Sequence, residues 1–397
     1  MKIVGSAILA ATVVPFLATG CKTAARATPE GSTTASADAA SPDLQDNLDY
    51  IKKDASKMVR DSAAKLGAPA NRDFHSRGIC AKGKLTVDPG SIPSALRVAL
   101  FSQKAVYPVY GRFSNGRPGR DSNDHDASVF GFGIKVIGVP GKKFDMQSLG
   151  STKPVNANQD WNLATGETFP IPTAAVYREQ RESDGNKLKT AAFAVRHPLV
   201  VTALLRGLRH IDSFFAASYY SQVALHFGED LVGKFSAAPC NGVEKDISGA
   251  EAGRRSSDYL RQDLATKLAS EGACFNLRVQ VRQADGKLDH GYENWAQLYP
   301  DDNPTVLWPE SVIPYITLAK IEFPPQPNIA DLQPTCEALS INPGNTLQAF
   351  RPIESDTLMR ARFLSAYEGS VTTREALNGK TQSEPGPIAN VDSWLAN

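Results

Sequence analysis

The stretch Cys274–Gln283 reads CFNLRVQVRQ, and it decides the fold class of this chain. Apolar residues at positions 275, 277, 279 and 281 alternate with polar or cationic residues at 276, 278, 280 and 282. Because successive side chains of a β-strand point to opposite faces, this pattern predicts a strand with one buried face. The other face is expected to be wet or to line a polar interior.

Other runs of the sequence share this strand character and lie at Gly83–Val87, Val109–Phe113, Phe130–Val139, Gln222–Phe227 and Tyr315–Phe323, with shorter candidates near Lys143 and Gly233. Gly, Pro and Asp residues separate the runs, as expected for turns. About eight such strands predict one antiparallel sheet, most economically closed into a barrel because closure removes the exposed edges.

Three helices are predicted around this sheet. The first runs from Pro198, which suits a first helical turn, to about Phe215. The second is capped by Ser257 and stops at Gly272, and the third covers Asp356–Leu377. No linker or repeat divides residues 45 to 380, so we predict one α+β domain over residues 44–380, followed by a tail at 381–397.

The composition describes a globular protein of 397 residues, 42% of them hydrophobic and 21% charged. The 43 Lys and Arg residues against 42 Asp and Glu residues leave a formal charge of +1. A nucleic-acid partner is not expected, because proteins that bind nucleic acids usually carry a basic excess.

The N-terminal sequence predicts a targeting signal. Residues 1–20 contain Lys2 and then an apolar run that ends in small residues directly before Cys21. This pattern resembles a bacterial lipoprotein signal, in which Cys21 becomes the acylated N-terminal residue, whereas an ordinary cleaved signal peptide or a short membrane anchor are the alternatives. Residues 21–43 are rich in small and polar residues and predict a flexible tether. We therefore expect an exported protein of the bacterial cell envelope, anchored to a membrane on its periplasmic or outer surface.

Export would place Cys80, Cys240, Cys274 and Cys336 in an oxidising compartment, where they could form two disulfides. Three pairings of these four residues stay open.

Three separated segments contain residues suited to chemistry. His75 precedes a glycine-rich entry to a strand, Arg112 lies within an apolar strand, and Tyr367 is seven residues before Arg374 on a predicted helix. His75 suits a positioned acid or base, Arg112 needs an anionic partner if it is buried, and positive charge near Tyr367 would favour a phenolate. Taken singly, each has a plainer interpretation: a structural histidine, a surface arginine on an edge strand and a core tyrosine.

Taken together, these segments resemble the catalase family. The motifs that carry the resemblance are Arg72 with His75 and the Gly78–Gly83 run, Arg112-Phe113-Ser114, Gly131-Phe132-Gly133-Ile134-Lys135, and Tyr367 with Arg374. Their order along the chain is that of the family over roughly residues 70 to 376. Two further segments, Ile341-Asn342-Pro343 and Phe350-Arg351-Pro352-Ile353, are similar to those of short, divergent catalase-related haem proteins.

The resemblance implies a catalase-like fold, an eight-stranded antiparallel barrel with surrounding helices and a buried haem b. It implies that Tyr367 is the axial ligand of the haem iron and that His75 is the acid–base residue on the other side. By the same resemblance, Arg72, Arg112 and Arg374 bind the haem propionates. Phe169 would be a ring partner of the porphyrin, with ordinary core packing as its alternative.

Two positions depart from the family pattern. Thr152 stands where the family has a distal Asn that orients peroxide, so efficient catalase turnover is in doubt. Phe363 occupies the position of the arginine that activates the tyrosine, four residues before Tyr367. Arg362 is five residues before it and, on a regular α-helix, points about 140° away from Tyr367. A single π-bulge would return Arg362 to the right face.

We therefore expect a haem-dependent oxidoreductase of catalase or peroxidase type, acting on hydrogen peroxide or an organic hydroperoxide. A non-enzymatic haem-binding envelope lipoprotein with the same fold is the alternative. The sequence leaves open whether the protein forms a homo-oligomer.

Overall fold

Nine β-strands form the central sheet of the computed structural model, which describes residues 39–283 and 295–396. The strands are β1 Gly78–Val87, β2 Ala105–Asn115, β3 Phe130–Val136, β4 Gln159–Ala164, β5 Tyr219–Tyr220, β6 Leu225–Phe227, β7 Leu231–Pro239, β8 Ala273–Gln283 and β9 Ile316–Phe323. Every pairing between them is antiparallel.

Eight of these strands close into a barrel, because β5 pairs with both β4 and β7. The ninth strand, β6, pairs with β7 alone among the named strands. The prediction of a closed antiparallel barrel is confirmed.

Aromatic side chains fill the interior of the barrel. The rings of Phe113 and Phe132 stack with centroids 4.4 Å apart, and Phe275 lies 5.0 Å from Phe132. All three residues are fully buried. The barrel interior is therefore a packed core, and a ligand site is to be sought on the outer face.

The strand β8 is as predicted at its inward positions, but its outer face is covered at one end. Gln280 and Arg282 are buried, because Gln280 donates to the carbonyl of Trp308 at 2.9 Å and Arg282 pairs with Asp301 at 3.1 Å. The segment around residues 299–313 thus replaces water on this face.

Two strand predictions need correction. The stretch near Lys143 makes only an isolated bridge with Leu347, and the fourth strand of the barrel lies instead at Gln159–Ala164. The predicted strand Gln222–Phe227 is interrupted, since Gln222 has a φ of 64° and separates β5 from β6.

The helices pack outside the barrel. They are α1 Leu44–Leu66, α2 Ala174–Ser183, α3 Lys187–Arg196, α4 Pro198–Gly207, α5 Gly249–Ala252, α6 Tyr259–Ser270, α7 Trp295–Leu298, α8 Gln333–Ala338, α9 Thr357–Arg360, α10 Tyr367–Asn378 and α11 Val391–Ala396. A π-helix, Ala361–Ala366, joins α9 to α10.

The helix boundaries differ from the prediction in two places. The helix that begins at Pro198 ends at Gly207 rather than near Phe215. The helix predicted to start at Ser257 begins at Tyr259, and the residue before it, Asp258, makes no side-chain capping bond. Asp356, by contrast, caps α9 by accepting a hydrogen bond from the Met359 amide at 2.8 Å.

Two disulfides select one of the three open pairings, Cys80–Cys336 and Cys240–Cys274. The first joins β1 to α8 across 256 residues of sequence. Contacts group the chain from Thr34 onward into one compact unit. The C-terminal tail contains α11, whose Trp394 packs edge-on against Tyr110 of β2 at 5.2 Å.

The predicted leader at residues 1–20, the acylation site Cys21 and most of the tether lie outside the described residues. Within the described ranges, no single helix has the length and apolar character needed to cross a membrane. The pair α3 and α4 meets that criterion only jointly, with a bend of 104° between them.

Candidate active site

His75 lies on the outer face of the barrel, held by neighbouring strands. Its Nδ1 atom is 3.0 Å from the hydroxyl of Ser114 on β2, and Arg112 on the same strand donates to its carbonyl oxygen at 2.9 Å. The backbone of His75 has a φ of 52°, an uncommon conformation for a residue with a side chain. Both the main chain and the ring are therefore fixed by the Arg-Phe-Ser motif of β2.

Glycines make room for this arrangement. A Cβ atom on Gly131 of β3 would lie 2.7 Å from the Cε1 and Nδ1 atoms of the imidazole. A Cβ atom on Gly78 of β1 would overlap the guanidinium of Arg112. Gly131 and Gly78 of the sequence motifs thus lie where the His75 ring and the Arg112 guanidinium pack directly against the strands.

The imidazole of His75 is neutral at physiological pH. Burial lowers its pKa from the usual 6.5 to about 3, and the positive charges of Arg112, Arg362 and Arg72 add to the effect. A neutral imidazole has a free nitrogen lone pair and can accept a proton.

Arg72, Arg112 and Arg374 form a group of arginines with more donors than acceptors. Arg72 donates to the carbonyl of Leu339 at 2.6 Å and lies 3.6 Å from Glu337, while Arg374 donates to Gln382 at 3.2 Å. Buried nitrogens on each of the three arginines have no hydrogen-bond partner.

These arginines also disfavour each other's charge. Burial lowers the pKa of Arg112 well below its ordinary value, and Arg72 lowers it further. Burial and Arg72 likewise lower the pKa of Arg374 to about 10. Buried guanidinium groups that repel one another and each keep an unpaired donor are suited to a bound anion, and carboxylates suit them best.

Tyr367 is the first residue of α10, directly after the π-helix. Its hydroxyl makes a short hydrogen bond with the hydroxyl of Ser340. Burial raises the pKa of Tyr367 above its usual 10.0, whereas the Ser340 bond and the charge of Arg374 lower it. A phenolate at this position therefore requires further positive charge, such as a bound metal ion would supply.

A π-helix covers Ala361–Ala366, the segment where a π-bulge is considered from the sequence. The neighbours of Arg362, however, are residues other than Tyr367. The amide of Tyr367 bonds to the carbonyl of Arg362, five residues earlier. The guanidinium of Arg362 lies 5.6 Å from the ring centre of Phe169, and its charge partners are Asp356 and Tyr177.

Thr152 lies beside the carboxylate of Glu368. It is exposed, and its amide and hydroxyl both donate to the carboxylate of Glu368 at 3.0 Å. Glu368 is fully buried and also accepts from Ser151 and Lys52. The role of Thr152 beside a peroxide stays a prediction. Its hydrogen bonds to Glu368 argue against that role, because the hydroxyl is already used as a donor there.

The residues present are compatible with a haem. Three arginines with unpaired donors match two propionates, and Tyr367 is of the ligand type for a ferric iron. Gly131 and Gly133 leave their part of the outer face of β3 without side chains, although Ile341 packs over Gly133. Among the described residues, no group of three or more His, Cys, Asp and Glu residues could hold a bare metal ion.

Sequence reasoning did not assign four residues of this region, Ser114, Gly131, Ser340 and Glu368. The first two lie within motifs already singled out, and their alternation with the inward-facing Phe113 and Phe132 could have placed them on the outer face with Arg112. Ser340 and Glu368 make contacts between segments far apart in sequence, for which the sequence carries no local signal.

Comparison with known proteins agrees with this architecture. The chain is 25% identical over 222 residues to a catalase-related peroxidase of Mycolicibacterium paratuberculosis, a match that covers 54% of this chain and 66% of that protein. A solved structure of a bacterial catalase superposes with a TM-score of 0.59 at 18% identity, over 82% of this chain and 63% of the catalase. The chain thus spans slightly less than two thirds of the length of each, and no family model matches it.

The closed barrel and the outer-face histidine define a protein of the catalase fold. The collinear motifs and the sequence match make the chain similar to the catalase-related peroxidase as well.

Proposed function

We propose that this protein binds haem b and breaks down hydrogen peroxide or an organic hydroperoxide. The observation that carries the proposal is the neutral imidazole of His75, fixed by Ser114 and Arg112 beside arginines with unpaired donors. Tyr367 would ligate the iron, and Arg72, Arg112 and Arg374 would hold the propionates. Phe169 and Arg362, which lie together, would border the porphyrin.

The proton chemistry belongs to His75. If Nδ1–H is donated to Ser114, Nε2 would carry the lone pair and would take a proton from one oxygen of the peroxide. The same nitrogen would return the proton to the other oxygen, which would leave as water or as an alcohol. When bound, the haem supplies the iron at which the O–O bond breaks. The two electrons come from a second peroxide molecule or from an organic reductant.

The proposed location is the bacterial cell envelope, where the protein would be anchored to a membrane. Two disulfides support an oxidising compartment, because such bonds rarely persist in the cytosol. Acylation of Cys21 would hold the domain at the membrane, and Cys21→Ala should then abolish lipid labelling of the protein.

The function is tested by replacing the proposed base. His75→Ala should lower peroxide consumption per haem by about 100-fold or more, since general acid–base catalysis supplies factors of this size. Oxygen evolution and oxidation of an added reductant are measured together to separate catalase from peroxidase turnover. His226→Ala is the control, because His226 pairs with Glu354 at 2.9 Å outside this site.

One observation favours a second function, non-enzymatic haem binding. Arg362 directs its charge to Asp356 and Tyr177 and not to Tyr367, so the phenolate lacks the arginine partner expected from the family pattern. Equal peroxide consumption by wild type and His75→Ala, with equal haem content, would overturn the enzymatic proposal and leave this one.

A further inference from the structure

Two consecutive helices, α3 and α4, present an unusually apolar surface to solvent. We call this pair the helical elbow, since the helices meet with a bend of 104°. The exposed fractions are 84% for Leu188, 82% for Val195, 76% for Leu199 and 61% for Leu205. Side chains of this size and number are normally buried, and their clustering marks an interaction surface.

The exposed residues of α3 form a stripe opposite its anchor to the domain. Leu188, Ala191, Ala192 and Val195 follow the three- and four-residue spacing of one helix face, and all four are exposed. Phe193, on the other side, is 3% exposed and belongs to the core. The helix is therefore docked by one apolar face while a second apolar face remains uncovered.

The charge of the elbow has a single sign. No Asp or Glu occurs between residues 185 and 211, whereas Lys187, Lys189 and Arg206 lie in this stretch. These three cations are exposed and have no ion-pair partner among the described residues. Arg196 and His197 do have one, because both contact Glu179 of α2.

We propose that the helical elbow is a contact surface for an anionic lipid bilayer. An apolar stripe flanked by lysine and arginine is the pattern of helices that lie in the membrane interface, with apolar side chains in the acyl region and cations at the phosphates. Each helix has 10 residues and so is about 15 Å long, too short to span a bilayer. The elbow therefore lies in the plane of the membrane, and this surface is separate from the haem chemistry proposed above.

The test compares two double variants of the full chain in a Cys21→Ala background, so that no lipid is attached. Leu188→Asp/Val195→Asp should bind vesicles of phosphatidylglycerol and phosphatidylethanolamine at least about tenfold more weakly than the parent. Leu307→Asp/Val243→Asp carries the same changes at apolar residues exposed elsewhere and should bind as the parent does. Parent binding should also fall with added salt and on phosphatidylcholine vesicles.

Hydrogen exchange locates the contact independently of any binding by the N-terminus. Anionic vesicles should slow exchange in residues 187–207 of the parent and leave α1, residues 44–66, unchanged. Equal vesicle binding by the two double variants, or exchange in residues 187–207 that vesicles do not alter, would overturn the proposal. A parent that self-associates in solution through the elbow, with no response to vesicles, would overturn it in favour of a contact between copies.

Discussion

At the scale of single residues, the site depends on space as much as on functional groups. His75 can approach β3 closely because position 131 has no side chain, and Ser114 can reach its Nδ1 atom from the neighbouring strand. The ring is thereby held in one orientation before any ligand binds. Such preorganisation is what a proton-transferring group needs, since small misplacements cost large factors in rate.

Gly131→Ala should damage the site with little effect on the fold. The added Cβ atom would lie 2.7 Å from the imidazole, so the ring must move and lose its bond to Ser114. We expect peroxide consumption per haem to fall by about tenfold or more. The measurement is a steady-state assay with haem content and thermal unfolding recorded alongside. Unchanged turnover would show that the position of His75 does not limit the reaction.

The stability of the fold should depend on pH through His75. Because its pKa is about 3 in the folded protein and 6.5 as an ordinary value, the unfolded chain binds the extra proton between these two pH values. The contribution of His75 to the free energy of unfolding is therefore fully present above about pH 6.5. It falls as the pH falls, so that the free energy of unfolding is about 2 kcal/mol lower at pH 5. Denaturant unfolding of wild type and His75→Asn at pH 7.5 and pH 5 measures the difference. An equal loss in both proteins would contradict the burial of a neutral imidazole.

At the scale of secondary structure, long-range contacts decided what the sequence could not. The strand β4 contains Asp160 and Asn162, whose polarity hides its strand character. Asp160 is buried, and it pairs with Lys135 on β3 at 2.8 Å and accepts from the Asn342 amide at 2.9 Å. Helix α3 was not predicted because apolar residues lie on its exposed face as well as on its buried face. The usual alternation of an apolar and a polar helix face is therefore absent from its sequence. The alternation of β8 and the other strand-like runs, with Gly, Pro and Asp between them, are local signals, and they were sufficient to predict the barrel.

The loop before β4 is fastened to α10 through Glu368, and Thr152→Ala tests that description. Loss of the hydroxyl should lower the free energy of unfolding by about 1 kcal/mol, because one charge-assisted bond at a partly exposed position disappears. Turnover per haem should stay within about twofold of wild type, since the contacts of Thr152 are to Glu368. Denaturant unfolding and the peroxide assay provide the two readouts. A large loss of turnover with unchanged stability would instead return Thr152 to the peroxide-binding side.

At the scale of the whole molecule, the near-neutral charge of the chain conceals a buried concentration of positive charge. Arg72, Arg112 and Arg374 come from three distant parts of the sequence, and Arg72 lies close enough to the other two for its charge to lower their pKa values. The Cys80–Cys336 disulfide ties β1 to the segment that leads to Ser340 and hence to Tyr367. The barrel thus has an interior packed with aromatic side chains and an outer face that holds His75 and Arg112.

Binding of a haem whose iron is ligated by Tyr367 is the central proposal, and the ferric absorption spectrum tests it most directly. Purified wild-type protein should bind haem and show a Soret band of the tyrosinate-ligated type, and Tyr367→Phe should lose that signature. Burial raises the pKa of Tyr367, and the charges of Glu384 and Asp160 raise it further, so a bound metal ion would favour the phenolate by adding positive charge. Failure of the wild type to take up haem, or identical spectra for wild type and Tyr367→Phe, would contradict the central claim.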